Sequence, residues 1–151
     1  MGLDSYLYKK TFIWQSEWID KDKRMKVVVK TGGFVDKKIK SKRIKYVIEE
    51  AGYWRKANHI HNWFVANAQD GVDNCAEYYV DIDDLKNLLE TCKRVMINPI
   101  EAKELLPTAS GFFFGGTDYD ESYFDSVKET ISILEECLSD EDAYFYYTSS
   151  W

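Results

Sequence analysis

Between Asp81 and Pro99 the chain reads DIDDLKNLLETCKRVMINP, and its apolar residues return at helical intervals. Leu85, Leu88, Leu89, Cys92, Val95 and Met96 stand at i, i+3, i+4, i+7, i+10 and i+11, a single stripe of 3.6-residue period. Asp81 is placed to cap the start, Lys93 and Arg94 complement the dipole at the end, and Pro99 prevents continuation. A helix with one apolar stripe has to bury it against another layer, so the remaining sequence must supply that layer.

The first half supplies strands. LDSYLY sets Leu3, Ser5 and Leu7 on one face, and TFIWQSEW does the same with Phe12, Trp14 and Ser16. RMKVVVK alternates Met25, Val27 and Val29 against Lys26, Val28 and Lys30, and Thr31-Gly32-Gly33-Phe34 is a turn, because two glycines accept positive φ without steric cost. SKRIKYVIEE resumes alternation through Ile44, Tyr46 and Ile48, while lysines 37, 38, 40, 42 and 45 suit a solvated edge. GYWRKANHIHNWFVANAQDG predicts a helix from near Tyr53 that stops before Asp70-Gly71. EYYV is a short strand and EAKELL a short helical turn. A last helix is expected from about Asp118 to Leu138, capped by Thr117 or Asp118, with Tyr123, Phe124, Val127, Ile131, Leu134, Cys137 and Leu138 on its inner stripe. AYFYYTSSW is a final strand or an aromatic arm. The expectation is one α+β domain over residues 1–151, an antiparallel sheet with about three helices packed on one side.

Charge divides the chain. Residues 1–60 hold 15 Lys or Arg against 7 Asp or Glu, and residues 61–151 hold 5 against 19. The net of −6 argues against non-specific duplex binding, so no stable nucleic-acid partner is expected, and the basic hairpin and acidic helices are expected to solvate or attract each other. No apolar run approaches the roughly 20 residues that span a bilayer, and MGLDSYLYKK lacks the apolar centre of a signal peptide. Cys75, Cys92 and Cys137 are an odd number without metal-type spacing, which fits reduced thiols and a cytoplasmic location.

Chemistry concentrates in the helix expected after Tyr53. There Arg55, Asn58, His59 and Asn62 form a polar stripe at i, i+3, i+4 and i+7, opposite Tyr53, Ala57, Ile60, Phe64 and Ala68. A guanidinium, two amides and an imidazole suit an anion or a nucleobase edge, and Trp54, Trp63 or Tyr78/Tyr79 are the rings to stack on a planar ligand. The competing reading is a solvated helix face whose tryptophans pack on the sheet. His59 and His61 make an HxH pair, but i and i+2 diverge by about 200° on a helix and cannot share an ion, so no metal is expected. Cys75 with His61 has no local signature of a nucleophile pair, and no catalytic residue or cofactor is assigned. Gly115-Gly116 before a helix resembles an anion cradle, yet Asp118, Asp120 and Glu121 stand where a phosphate would sit.

MGLDSYLYKK, the block WRKANHIHNWFV…QDGVDNCAEYYV, and ELLPTASGFFFGGTDYDESYFDSVKETISIL resemble a family of small proteins encoded by bacteriophages and prophages. The resemblance covers the ends and most of residues 52–138, and leaves out the basic hairpin of residues 19–46. It implies a source, and host-cell cytoplasm as location, but carries no assigned chemistry. For a small phage-type protein three roles follow: sequestering a small anionic or nucleotide-derived ligand as a counter-defence, binding and inhibiting a host defence or metabolic enzyme, or, with the least support in the residues, an enzyme such as a nucleotide hydrolase. A homo-oligomer is compatible with each.

Overall fold

The computed structural model describes residues 2–151. Strand β1, Asp4–Phe12, buries Ser5 and Leu7 and leaves Tyr6, Tyr8 and Lys10 on the opposite side, as its alternation requires. Residues 13–45 then leave the sheet as an arm. Within it β2 (Lys30–Thr31) and β3 (Phe34–Val35) form a two-residue hairpin over Gly32 and Gly33, whose φ of 59° and 85° meet the turn expected there. RMKVVVK, expected as a strand, is extended sheet only at its last residue, because no core surface lies beside it to reward alternation.

The chain returns as β4, Tyr46–Arg55, antiparallel to β1. Leu7 pairs with Gly52 and Tyr8 with Glu50, so Ala51 is the extra residue of a β-bulge. Helix α1, Asn58–Ala68, begins three residues after β4, and β5 (Tyr78–Val80) follows it. Helix α2 spans Ile82–Ile97, with the Asp81 carboxylate accepting from the Asp83 amide as its cap. A single turn, α3 (Ala102–Leu105), and a loop lead to α4, Glu121–Cys137. The last strand, β6 (Tyr144–Ser150), inserts between β1 and β5, giving the antiparallel order β4-β1-β6-β5.

The architecture is the expected α+β domain: a four-stranded antiparallel sheet whose inner face is covered by α1, α2 and α4. Leu7, Phe145 and Tyr147 from the sheet meet Ile60 and Phe64 of α1, Leu85, Leu88 and Val95 of α2, and Val127 and Leu134 of α4. Tyr147 stacks on Phe64 with ring centres 4.0 Å apart. No described helix is long and apolar enough to cross a membrane. All three cysteines are free; Cys92 and Cys137 are buried and Cys75 is exposed.

Three expectations need correction. Tyr53–Arg55 is not helix but the end of β4, paired to Tyr6, Ser5 and Asp4, so Tyr53 faces outward and Trp54 inward. Gly52 permits this, since a Cβ there would stand 2.8 Å from Ile133 of α4 and 3.0 Å from the Trp54 ring. The cap of α4 is Asp120, which accepts from the Tyr123 amide, rather than Thr117 or Asp118. Met96 is exposed at the end of the α2 stripe, because the helix runs past the edge of the core.

Candidate functional site

The link from β4 to α1 is made by Lys56, whose φ of 56° is the left-handed conformation that L residues rarely hold. Its amide donates to the Leu3 carbonyl at 2.7 Å, fixing the strained residue to the start of β1. The loop before α4 closes over it. Gly115, at φ 87°, lies so near that an added Cβ would stand 3.0 Å from Lys56 Cβ and 3.3 Å from its carbonyl oxygen. Strain of this kind persists only where the surroundings hold it, and it gathers at functional sites.

Asn58, at the first turn of α1, is buried and fully bonded. Its Nδ2 donates to the carbonyls of Phe114 (2.9 Å) and Gly116 (2.8 Å), and its Oδ1 accepts from the Ala109 amide at 3.0 Å. One amide side chain therefore pins both limbs of the loop to the helix. His59 is buried beside it, its ring centre 4.2 Å from that of Tyr123. Its Nε2 lies 2.8 Å from Ser126 Oγ, and because that hydroxyl donates to the Tyr123 carbonyl, Nε2 carries the proton. Burial lowers the His59 pKa to about 4, so the ring is neutral near pH 7.

Between these elements lies a cleft of about 170 Å³. Arg55, Lys56, Asn58 and His59 line one side; Gly115, Gly116, Ser122 and Ser126 line the other. Asp118 and Asp120 also reach it, and Asp120 is occupied as the cap of α4. The cations are thus Arg55 and Lys56, both exposed, with the Arg55 guanidinium 3.5 Å from the Asp4 carboxylate. A group the size of a phosphate or carboxylate fits the cleft. A complete nucleotide does not, because pockets for drug-sized ligands measure about 300–1,000 Å³.

Of the residues singled out in the sequence, the structure brings together Arg55, Asn58 and His59. The rest are dispersed. Asn62 is half-buried and does not line the cleft. Trp54 is buried in the core with Nε1 donating to Thr130 Oγ1 at 2.8 Å, and Trp63 is buried edge-on against Phe64. Neither offers a face for stacking. Tyr78 is half-buried on the inner side of β5, and Tyr79 is exposed on the other side, against Tyr146.

His61 belongs to a separate network. Its Nε2 faces the Asp73 carboxylate at 2.9 Å and its Nδ1 the Tyr147 hydroxyl at 2.7 Å; Tyr147 Oη and Ser5 Oγ are 2.9 Å apart. With both ring nitrogens engaged, His61 has none left to activate Cys75. The two histidines point into different networks, as the helical phase requires, and the described residues contain no group of three His, Cys, Asp or Glu arranged for a metal.

The sequence reading missed the outer face of the sheet. Tyr6, Tyr8, Phe12, Tyr46, Tyr53, Tyr79, Tyr144 and Tyr146 all project there, opposite the helices. Seven of the eleven tyrosines thus lie on one side of the molecule. The alternation that buries Leu3, Ser5 and Leu7 implies this face, since the residues between them are aromatic or charged. No protein-family model matches the chain, and no curated protein or solved structure matches it either.

Proposed function

We propose that the protein acts by binding rather than by catalysis, holding the anionic head of a small nucleotide-derived ligand in the cleft beside Lys56. The observation that supports this reading is the convergence of Arg55 and Lys56 on one polar cleft with the Gly115-Gly116 loop, which Asn58 holds in place and His59 backs. The two cationic side chains run close together, since a Cβ on Gly2 would stand 3.3 Å from Lys56 Cε and 3.8 Å from Arg55 Nη2. The ring of the ligand lies outside, on Tyr53, which precedes Arg55 by two residues on the outer side of β4 and shares its Asp4 partner. A buried, neutral imidazole is poorly matched to proton transfer near pH 7, which favours binding over acid–base chemistry. The resemblance to phage-encoded proteins adds a context of counter-defence by sequestration.

The test is a thermal-shift series with inorganic phosphate, mononucleotides and cyclic dinucleotides. A ligand at about 100 times its Kd stabilises by about 2.7 kcal/mol, and Arg55→Lys reduces that gain because a point charge replaces a bidentate fork. No shift with any of these probes overturns the reading. A second reading, inhibition of a host protein, is favoured by Ile97 and Ile100, which are 86% and 88% exposed at the end of α2. Contiguous apolar patches mark contact surfaces, and Met96, Ile97 and Ile100 are the exposed apolar residues gathered at this end.

A further inference from the structure

The outer sheet face and the arm carry a second binding surface that does not depend on the cleft. The pairing of strands sets Tyr8 opposite Tyr146, Lys10 between Ile48 and Tyr144, and Phe12 opposite Tyr46. The rings at this end enclose a groove of about 340 Å³, to which Trp14 adds a wall. Lys10 rises through its middle, with Nζ 4.5 Å from the centre of the Tyr46 ring and 5.4 Å from that of Tyr146. No carboxylate among the described residues forms an ion pair with this ammonium, which lies over the two rings instead.

The arm leaves the sheet directly beside this groove, after Phe12 and before Tyr46. It holds eleven Lys or Arg against Glu17, Asp20, Asp22 and Asp36. Apart from the Lys23–Asp20 pair, its cations make no ion pair among the described residues. The chain's acidic excess is in α4, whose five carboxylates stand against Lys128, and in the turns, of which Asp140, Glu141 and Asp142 flank the groove beyond Phe12, Trp14 and Tyr144. Helix α2 is balanced, with three acids and three bases. The total of −6 therefore conceals a strongly basic arm beside the groove.

From this arrangement we infer that the outer face binds single-stranded nucleic acid, with bases stacked on Tyr46, Tyr146 and Phe12 and the backbone running over Lys10 toward the arm. Stacking rings beside a cationic track are what an unpaired strand needs, because every base offers a π-face and every link a phosphate. A duplex keeps its bases stacked on one another and can use only the cations. A neutral protein surface would bury Lys10 among rings without a counter-charge, whereas a phosphodiester supplies one at each step. Asp4 lies at the opposite end of the face, held by Tyr53 and Arg55, while Glu50 shares the Tyr8–Tyr146 row and bounds the strand's path on that side. The expectation of no nucleic-acid partner rested on total charge, whereas this inference rests on the local excess of cations in the arm beside the groove.

The experiment is fluorescence anisotropy with labelled oligothymidylate and oligouridylate of about 12 nucleotides, and with a DNA duplex of equal length, at about 100 mM salt. Micromolar binding of one or both single strands is expected, with the duplex at least roughly tenfold weaker. The paired probes distinguish DNA from RNA. The double variant Tyr46→Ala/Tyr146→Ala should weaken binding by roughly tenfold or more, and Tyr46→Phe/Tyr146→Phe should restore it, since the rings and not the hydroxyls stack. Lys10→Gln should lower the slope of log K against log salt by about 0.7, one phosphate contact on a single strand. Melting curves of each variant separate lost binding from lost folding. Absence of single-strand binding overturns the inference, as does duplex binding of equal strength or indifference to the alanine pair. Displacement of the oligonucleotide by polyglutamate at equal charge concentration also overturns it, in favour of an acidic protein partner.

Discussion

The sheet with its helices and the arm of residues 13–45 belong to one chain but are held by different forces. The first part contains the core, with Leu85, Leu88, Phe64 and Tyr147 shielded from water; of the arm's apolar side chains, only Ile13 is buried. The arm is kept in shape by polar contacts instead. Gln15 donates to the carbonyls of Ser41 (2.9 Å) and Ile44 (3.2 Å), Arg24 to those of Ile19 (2.8 Å) and Glu17 (2.7 Å), and Ser41 Oγ to that of Val27. Each such bond contributes about 0.5–1.5 kcal/mol net, and solvent competes for those at the surface. Stability is thus concentrated where the chain is acidic and helical, and the basic segment is left free to vary its contacts at small cost to the fold.

That contrast can be broken most decisively at Trp54. Trp54→Ala removes a buried indole together with its bond to Thr130 and should cost about 3–5 kcal/mol in chemical denaturation. Phe34→Ala, at the tip of the arm, should stay within about 0.5 kcal/mol. Similar costs at the two positions would mean that the arm shares the core's cooperativity.

A smaller effect separates the two regions by pH. The folded pKa of His59 is depressed to about 4 from the ordinary 6.5, so between these values the unfolded chain binds the extra proton. The contribution is fully present above pH 6.5 and is lost as pH falls toward 4, up to about 3 kcal/mol in all. His59→Gln should flatten this part of the stability profile. Lys42→Gln in the arm should leave it unchanged, and a profile that His59→Gln does not alter would show that carboxylates alone set the acid limb.

The smallest expected effect lies within the helical layer. Asp120→Ala removes the cap of α4 and should lower stability by about 1 kcal/mol, whereas Asp118→Ala should change it by less than about 0.5. Melting temperatures of the pair decide which aspartate starts the helix.

What the sequence disclosed follows the reach of each interaction. Helix α2 is legible because its stripe, its cap Asp81 and its stop at Pro99 all act within a few residues. The hairpin turn at Gly32-Gly33 is legible for the same reason. The boundary between β4 and α1 is not, because Tyr53, Trp54 and Arg55 fit either period, and the choice is made by pairing with β1 some 49 residues earlier. Arg55, Asn58 and His59 do converge, yet not as a helical stripe: a strand end, a left-handed Lys56 and a loop from residues 108–116 assemble them. Trp54 and Trp63 appeared available for stacking because composition cannot tell a buried indole from an open one.

The position of β6 has a consequence for how the chain is made. β1 is synthesised first and β6 last among the strands, yet they are neighbours in the middle of the sheet. At about 5–20 residues per second, ribosomal synthesis separates them by roughly ten seconds. During that interval β1 has only β4 beside it, and the slot between β1 and β5 is an open edge lined by apolar side chains such as Leu7 and Val80. Newly made chains are therefore most exposed to aggregation before Tyr144–Ser150 emerges, and interruption of synthesis ahead of that segment leaves a sheet that cannot close.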